Sequence, residues 1–316
     1  MADVALGGAG RPAALPDRGL WARLKTNREW LGAWFMMPTA ILLLLFLAYP
    51  LVKGIWMSFT DARIGRGGAF VGLENYEWLW DDDVFWLSVF NTLLYTFVAS
   101  VIKFGIGLYL ALLLNRHIPF KAIIRSIILI PFVVPTVLSA IAFWWIFDSQ
   151  FSIISWSLRH MGLIDTNINF LGDQSWARTC VIFVNIWRGV PFIAITLLAG
   201  LQTVSPSLYE AATIDGATRW QILTRIMLPL AVPGLISAGI FAFTLSWNEF
   251  IYALTFIQSS ENKTVPVGVL TELVRGDVYE WGALMAGALL GSLPVVLLYS
   301  FFVDYYVSSM TGAVKE

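Results

Sequence analysis

The segment YEAATIDGATRWQILTRIMLP, residues 209–229, is a polar island between two long apolar runs, 177–201 and 234–257. Its ionisable and amide side chains are Glu210, Asp215, Arg219, Gln221 and Arg225. A hydrocarbon core of about 30 Å is crossed by about 20 apolar residues in a helix, and each flanking run is long enough for this. The island therefore predicts a loop at a membrane surface that joins two membrane-spanning helices.

The composition of the whole chain is that of a polytopic membrane protein. Of its 316 residues, 58% are hydrophobic and 13% are charged, and the mean hydropathy is +0.73. Soluble domains carry about 25% charged residues. The formal net charge of −1 does not indicate a nucleic-acid partner. Because Cys180 is the single cysteine, an internal disulfide and a cysteine-rich metal site are excluded.

Continuous apolar runs favour membrane helices over a barrel, whose strands would alternate. Six runs qualify as spans: 33–57, 88–114, 127–147, 177–201, 234–257 and 282–307. The first is longer than a signal-peptide core and lacks a small-residue cleavage site, so we expect it to be an uncleaved span. The predicted organisation is a tail (1–32), an all-α six-helix domain (33–307) with a polar connecting loop (202–233), and a second tail (308–316).

The distribution of Lys and Arg predicts the orientation in the membrane. Eleven of the 20 lie in the N-terminal tail, the 115–126 loop, the island and the C-terminus, whereas five lie in the opposite connections. Because cytoplasmic loops are enriched in positive charge, both termini and the island are predicted to be cytoplasmic. The outer stretch LENYEWLWDDDVFW (73–86) is either a solvated interfacial loop or a docking surface for an external partner.

The island is predicted to form two short helices. Two starts fit the first helix: Ser205 as N-cap with proline at the first helical position, or a capping box that begins at Ser207. Gly216 can take a positive φ and end this helix. A second capping box begins at Thr218, and Pro229 and Pro233 limit the second helix before the next span. Such a short helix either fits a socket in another protein or is an ordinary connection between spans.

The spacing of the island resembles the EAA loop of permease subunits of binding-protein-dependent ABC importers. Glu210-Ala211-Ala212 is followed after three residues by Gly216, and after nine more by Ile226-x-Leu228-Pro229. Other stretches resemble the maltose-type carbohydrate branch, and the resemblance covers essentially residues 33–316. They are FVGLENYEWL (70–79), NTLLYT (91–96), ILIPFVVPTVLSAIAFWWIF (128–147), VNIWRGVPF (184–192), LSWNEFIYALTF (245–256) and MTGAVKE (310–316).

This resemblance implies a type I ABC importer permease fold in a bacterial inner membrane. It also implies a second permease subunit, in a heterodimer or homodimer, two ABC ATPase subunits and an extracytoplasmic solute-binding protein. The chain has no G-x-x-x-x-G-K-[ST] phosphate loop, so ATP and Mg are expected on the ATPase and no cofactor on this chain. The island would be the coupling helix through which ATPase closure rocks the spans. Its expected ATPase contacts are Glu210, Ala211, Ala212, Asp215 and Gly216.

Within VNIWRGVPF, Gly189 and Pro191 are predicted to break or kink the fourth span, as at a cavity wall. The resemblance implies sugar contacts at Asn185, Arg188, Gly189 and Phe192. Arg188 departs from the maltose pattern, which makes an anionic sugar, such as a sulfonated or phosphorylated glycoside, a candidate cargo. The alternatives are that a structural acid satisfies Arg188, or that it forms an ion pair with Glu249 at the cavity.

Within LSWNEF, the resemblance implies path contacts at Leu245, Ser246 and Glu249. An amide at Asn248 or the carboxylate beside Trp247 also suits a sugar, since hydroxyls take hydrogen bonds and the ring face stacks on an aromatic side chain. An interhelical hydrogen bond is the alternative for this pair. Lys103 has no role implied by the resemblance and is a candidate for pairing with an acid on a neighbouring helix.

Two other classes of function are weaker. A membrane-embedded enzyme requires a catalytic constellation in the spans, yet the two histidines, His117 and His160, lie in loops on opposite sides. An ATP-independent secondary transporter or channel remains an alternative for small polar solutes, although such proteins often show internal repeats and none is recognisable here. No residue alone identifies the solute.

Overall fold

The computed structural model describes residues 28–63, 65–116, 118–257, 262–272, 274–275 and 278–311. Parts of both predicted tails, 1–27 and 312–316, lie outside these residues. The chain divides into two compact units, Met1–Trp56 and Met57–Glu316. Helices make up most of the described chain, and β1 (Val274–Arg275) pairs with β2 (Val278–Tyr279) in a short antiparallel hairpin.

The described part of the first unit, from Arg28, is one apolar helical segment. Helix α1 (Arg28–Leu43) continues through a π-helical segment (Leu44–Ala48) into α2 (Tyr49–Met57), and Trp30–Met57 is long and apolar enough to cross a membrane. None of the side chains 30–56 is buried. Its apolar surface is therefore available to lipid or to another subunit.

The second unit begins with helix α3 (Glu74–Trp80), which precedes the long helix α4 (Asp83–Asn115). The next helices are α5 (Lys121–Val133), α6 (Thr136–Ile146), α7 (Ile153–His160) and α8 (Gln174–Gln202). The island follows as α9 (Pro206–Ile214), α10 (Arg219–Ile222), a π-helical segment (Leu223–Met227) and α11 (Leu228–Leu230). The last helices are α12 (Val232–Trp247), α13 (Ile251–Phe256), α14 (Val265–Glu272) and α15 (Trp281–Thr311).

Across the described residues, five helices are long and apolar enough to cross a membrane, or six if one bent pair counts as a span. The bent pair is α5 and α6, which meet at 82°. The predicted span 127–147 is therefore not one straight helix. Proline disfavours helical backbone at the residue before it, and Val134, which precedes Pro135, is extended with ψ 130°.

The sequence predicted a break or a kink near Gly189, and the break is absent, because α8 runs without interruption through Gly189 and Pro191. The break lies instead in the fifth apolar run, where α12 ends at Trp247 and α13 begins at Ile251. Proline removes one N–H donor from a helix, and packing against neighbouring helices can offset that loss. Pro191 is itself buried in the core, as is Val190 before it, whereas Phe192 after it is half-buried.

Helices α4 and α8 form the most extensive helix pair, and α12 packs on both. The core has two apolar clusters, which we name after Tyr252 and Leu197. The Tyr252 cluster includes Tyr95, Val184 and Phe256, and the Leu197 cluster includes Ala111, Ile193 and Ala238. Along each of α4, α8 and the α12–α13 segment, the polar residues described below lie between the two clusters.

The island is packed onto the ends of the spans. Ala212, Ile222 and Met227 belong to the Leu197 cluster, which anchors α9 and the helix after it. Nearby, α8 and α12 approach closely where Gly200 faces Gly234: a Cβ on Gly234 would lie 2.8 Å from the Gly200 Cα. Small residues allow helix backbones to approach in this way.

Candidate functional site

A buried polar network joins α4, α8 and α12 between the two apolar clusters. Lys103 is 0% exposed, and its Nζ donates to Asn185 Oδ1 at 2.8 Å, to Ser246 Oγ at 2.6 Å and to the Ala242 carbonyl at 3.1 Å. Asn185 Nδ2 in turn donates to Glu249 Oε2 over a longer distance, 3.5 Å. The network therefore connects the one lysine to the one carboxylate through a neutral amide.

Glu249 lies at the break between α12 and α13, which explains its geometry. Its Oε1 accepts a hydrogen bond from the Tyr252 backbone N–H at 2.8 Å, at the start of α13. A carboxylate is stabilised at a helix N-terminus because free N–H groups point towards it. The predicted interhelical hydrogen bond of Glu249 is present, through Asn185, and Lys103 pairs with neutral acceptors rather than with an acid as we had expected.

Arg188 and Phe192 form a separate group on the next turn of α8. The Arg188 guanidinium lies over the Phe132 ring at 5.7 Å, and Phe132 stacks on Phe192, which meets Phe241 edge to face. Within the described chain, no carboxylate lies within 4.0 Å of Arg188, and its buried Nε has no hydrogen-bond partner. Neither alternative, an ion pair with Glu249 or one with a structural acid, is therefore present as a direct contact in the described chain, although Glu249 lies near enough to Arg188 to interact with it electrostatically.

Trp247 and Asn248 occupy a third place, away from the Lys103 network. The Trp247 indole is 3% exposed, donates to the Gly291 carbonyl on α15 at 2.9 Å, and stacks on Phe243. Both residues line a cavity of about 330 Å³ beside α14 and α15. The ring face expected to stack on a sugar is thus used for helix packing. Leu245 is half-buried between these places.

The island has the local geometry that its sequence predicts. Ser205 is the N-cap of α9 with proline at the first helical turn, which decides between the two starts. Gly216 has φ +78°, and both hydrogen bonds of the Thr218 capping box are present. The second helix ends at Leu230, between Pro229 and Pro233, as predicted, although Pro229 itself lies inside α11.

The expected ATPase contacts on the island face two directions. Glu210, Ala211, Asp215 and Gly216 are exposed, whereas Ala212 is 6% exposed and packs in the Leu197 cluster. Ala212 is therefore a packing residue, because the helical period turns it towards the spans. Tyr209 also faces inwards, and burial raises the pKa of its phenol above the ordinary value.

One candidate functional residue received too little weight from the sequence, and another was missed. Lys103 was expected only to pair with an acid on a neighbouring helix, although its position on the face of α4 towards α8 and α12 makes it the centre of the network. Ile214 at the end of α9 is 85% exposed, and its position between Glu210 and Gly216 was the available signal. Among the residues that the structure describes, no group of three His, Cys, Asp or Glu could hold a metal ion.

Comparison with known proteins identifies a protein family that this chain matches and several relatives with similar sequences. Residues 103–312 match the family described as the inner membrane component of binding-protein-dependent transport systems. The chain is 32% identical over 294 residues to the trehalose/maltose transport system permease protein MalF of Thermococcus litoralis, covering 92% of this chain and 97% of that protein. It is 34% identical over 233 residues to the sulfoquinovosyl glycerol transport system permease protein SmoG of Agrobacterium fabrum, covering 73% and 75%.

Solved structures show the same fold. A chain of a bacterial alginate ABC transporter, in complex with an alginate pentasaccharide-bound periplasmic protein, matches with a TM-score of 0.76 at 25% identity, covering 90% of this chain and 96% of that one. A chain of an ABC transporter that imports the acidic polysaccharide alginate matches with a TM-score of 0.77 at 24% identity, covering 95% and 100%. The chain therefore belongs to the inner membrane components of binding-protein-dependent transport systems and is a multi-pass permease subunit of the sugar ABC importer type, not an enzyme.

Proposed function

We propose that this chain forms half of the translocation path of an ATP-driven importer for a carbohydrate or glycoside that carries an anionic group. The observation that carries the proposal is Arg188, a half-buried guanidinium on an aromatic surface with no carboxylate within 4.0 Å in the described chain. An unpaired charge inside a membrane protein is expensive and is typical of a substrate path. An anionic cargo would supply the missing partner.

The names of relatives support this class of cargo. The permease of Agrobacterium fabrum is named for sulfoquinovosyl glycerol, whose sulfonate is anionic, and that of Thermococcus litoralis is named for trehalose and maltose. The aromatic rings of Phe132 and Phe192 beside Arg188 would offer apolar faces to a sugar ring. Asn185, Ser246 and Glu249 would act from the network behind this surface, with Gly189 beside it on α8. Leu245, Trp247 and Asn248, at the end of α12, would lie farther along the path.

The proposed assembly contains a second permease subunit in a heterodimer, two ABC ATPases with ATP and Mg, and a solute-binding protein that delivers the cargo. The chain would cross the bacterial inner membrane six times, with α5 and α6 as one bent span and both termini in the cytoplasm. The exposed residues of α9 would dock in the ATPase and transmit its closure to the spans. The solved alginate transporter with its periplasmic protein supports the delivery step.

Replacing Arg188 with glutamine tests the cargo class. In vesicles containing the assembled transporter, we expect Arg188→Gln to lower uptake of radiolabelled sulfoquinovosyl glycerol by roughly ten- to a hundred-fold. Hydrogen bonds to charged groups contribute about 1.5–3 kcal/mol, and 1.4 kcal/mol corresponds to about tenfold. The measurement is the initial rate of uptake against cargo concentration.

Two controls make this result specific. Arg159→Gln removes an arginine from the outer loop, where Arg159 contacts Asn167, and should leave uptake unchanged. Uptake of trehalose, which is neutral, should not fall in Arg188→Gln if the guanidinium serves only an anionic group. Normal uptake of sulfoquinovosyl glycerol by Arg188→Gln would falsify the anionic part of the proposal and leave the family assignment intact.

A further inference from the structure

Lys103 is the centre of the buried network, yet neither the family nor the sequence assigns it a role. We propose that Lys103 is a positioning residue for the translocation path, which orients Asn185 and Ser246 and, through them, Glu249. We further infer that Gly189 makes room for Lys103 rather than contacting the cargo. Both inferences rest on the proposed function in one respect: they take the surface formed by α8 and α12 as part of the translocation path.

The ammonium group of Lys103 has all of its hydrogen-bonding capacity filled. A lysine ammonium has three N–H donors, and three acceptors lie 2.6–3.1 Å from Nζ: Asn185 Oδ1, Ser246 Oγ and the Ala242 carbonyl. Because the acceptors lie on α8 and α12, one side chain from α4 ties three helices together. A charge with this many fixed partners holds them in one arrangement.

The lysine determines the orientation of the Asn185 amide. Lys103 can only donate, so the Asn185 oxygen must face it, and the Asn185 Nδ2 must then face away. That nitrogen is the group that reaches Glu249 Oε2. Without Lys103, either end of the amide could face Glu249, and an oxygen there would repel the carboxylate. Lys103 thereby sets the direction in which Glu249 is held.

Ser246 is oriented in the same way. Its Oγ accepts from Lys103, and its own proton has two acceptors within reach, the Ala242 carbonyl at 3.0 Å and Asn185 Oδ1 at 3.3 Å. Both polar functions of the hydroxyl are therefore directed into the network. Asn185 and Ser246 act on a cargo indirectly, by supporting Glu249, and Arg188 on the next turn is the unpaired polar group of this surface.

Gly189 leaves the space that the stem of Lys103 fills. A Cβ at position 189 would lie 2.5 Å from Lys103 Cδ and 3.4 Å from Nζ, and the first distance is too short for any side chain. The helix α8 is continuous here, so the glycine is not needed to break it. Even alanine at this position would displace Lys103 from its acceptors.

A double-mutant cycle tests the pairing without reference to a cargo. Lys103→Ala, Gly189→Ala and the double variant are purified in the assembled transporter, and thermal unfolding is measured for each. We expect each single variant to unfold at a lower temperature than the wild type. The double variant should unfold close to Lys103→Ala, because the alanine at 189 no longer meets a lysine stem. Additive effects of the two changes would overturn the role given to Gly189.

The positioning role is tested by the number of ATP molecules hydrolysed per cargo molecule imported. A variant that only reduces the amount of folded transporter lowers both rates equally, so this ratio stays constant. If Lys103 positions the path, Lys103→Ala should lower uptake more than ATP hydrolysis and raise the ratio by about tenfold, the effect of losing about 1.4 kcal/mol. Gly189→Ala should raise it similarly. An unchanged ratio would overturn the proposal.

Lys103→Met keeps most of the stem and removes the donors, so it serves if Lys103→Ala does not assemble. It should raise the same ratio. The ratio is measured with sulfoquinovosyl glycerol first and with trehalose second. If the wild type takes up trehalose and not sulfoquinovosyl glycerol, the anionic cargo is contradicted. The role of Lys103 is not, and it is then tested by the same ratio measured with trehalose. If the wild type takes up neither, the carbohydrate assignment is wrong, and the unfolding cycle still decides the pairing.

Discussion

The island of residues 202–233 and the Lys103 network are both polar regions in an apolar chain, and they use their polar groups in opposite ways. Side-chain hydrogen bonds in the island join residues two to four positions apart, as in the Thr218 capping box. Most of those of the network join residues between 61 and 143 positions apart, and only the Ser246–Ala242 and Glu249–Tyr252 bonds are local. The island is therefore shaped locally and the network by packing.

This difference separates two uses of polarity in a membrane protein. The second helix of the island is capped by its own Thr218 and Gln221 side chains, and Glu210 and Asp215 are exposed, where we propose that another chain contacts them. The network buries its polar groups and satisfies them across three helices. Changes in the island are thus expected to affect assembly and transport more than the stability of the subunit, and changes in the network to affect both.

Gly216→Pro should reduce transport more than any other change described below. Gly216 has φ +78°, whereas proline requires about −65°, so the turn between α9 and α10 cannot keep its shape. We expect the subunit to insert at normal levels and transport to be abolished, because α9 would no longer present its exposed face to the ATPase. Uptake and cargo-stimulated ATP hydrolysis in vesicles are the measurements.

Gly162→Pro is the matched control for that variant. Gly162 has φ +71° and its N–H donates to a carbonyl three residues earlier, as that of Gly216 does, but it follows α7 in a loop predicted to be on the opposite side. The Gly162→Pro variant should bind the ATPase as the wild type does. If Gly216→Pro transports normally, the island does not transmit ATPase closure to the spans. The functional difference drawn between the island and the Lys103 network is then contradicted.

Ile214→Ala should have an intermediate effect. Ile214 is 85% exposed at the end of α9, and burying an isoleucine side chain contributes about 1.5–3 kcal/mol. If this side chain enters an ATPase cleft, the variant should bind the ATPase roughly tenfold more weakly. Binding is measured by titrating the purified ATPase onto the permease. Leu163→Ala, in a loop predicted to be on the opposite side of the membrane and 66% exposed, should show no such loss, and equal losses would contradict a specific contact.

Tyr252→Phe should have the smallest effect, and on stability only. The Tyr252 phenol and the Ser139 hydroxyl are hydrogen-bonded at 2.6 Å between α13 and α6. Removing one such bond costs about 1 kcal/mol, which thermal unfolding of the purified transporter would detect. Tyr95→Phe is a matched change, since the buried Tyr95 hydroxyl has no hydrogen-bond partner. A larger loss for Tyr95→Phe than for Tyr252→Phe would show that packing in the Tyr252 cluster depends on something other than this bond.

Much of the helical layout was predictable because it depends on neighbours along the chain. The apolar runs 88–114 and 177–201 lie within α4 and α8, which extend them by a few residues at each end. The cap at Thr218 and the turn at Gly216 follow from side chains within four residues of each other. The bend in the third run also has a local cause, Pro135, which we underestimated in an otherwise apolar segment.

The arrangement of the site was less predictable. Candidate residues that are adjacent in LSWNEF separate in space: Ser246 and Glu249 join the network, and Trp247 and Asn248 line a cavity beside α14 and α15. The break expected at Gly189 lies instead at 248–250, because it depends on which helices pack around each segment.

By itself, the sequence determined that the protein is built of apolar helices, that a capped polar loop precedes the fifth run, and that the chain carries no G-x-x-x-x-G-K-[ST] phosphate loop. Each of these depends on length, hydropathy or spacing over a few residues. Only the tertiary structure decided that Lys103 meets Asn185 and Ser246, that Ala212 faces inwards while Ile214 faces out, and that Arg188 has no acid beside it. The physical reason is that a buried polar group takes whichever partner helix packing brings within about 3 Å, and that partner is far away along the chain.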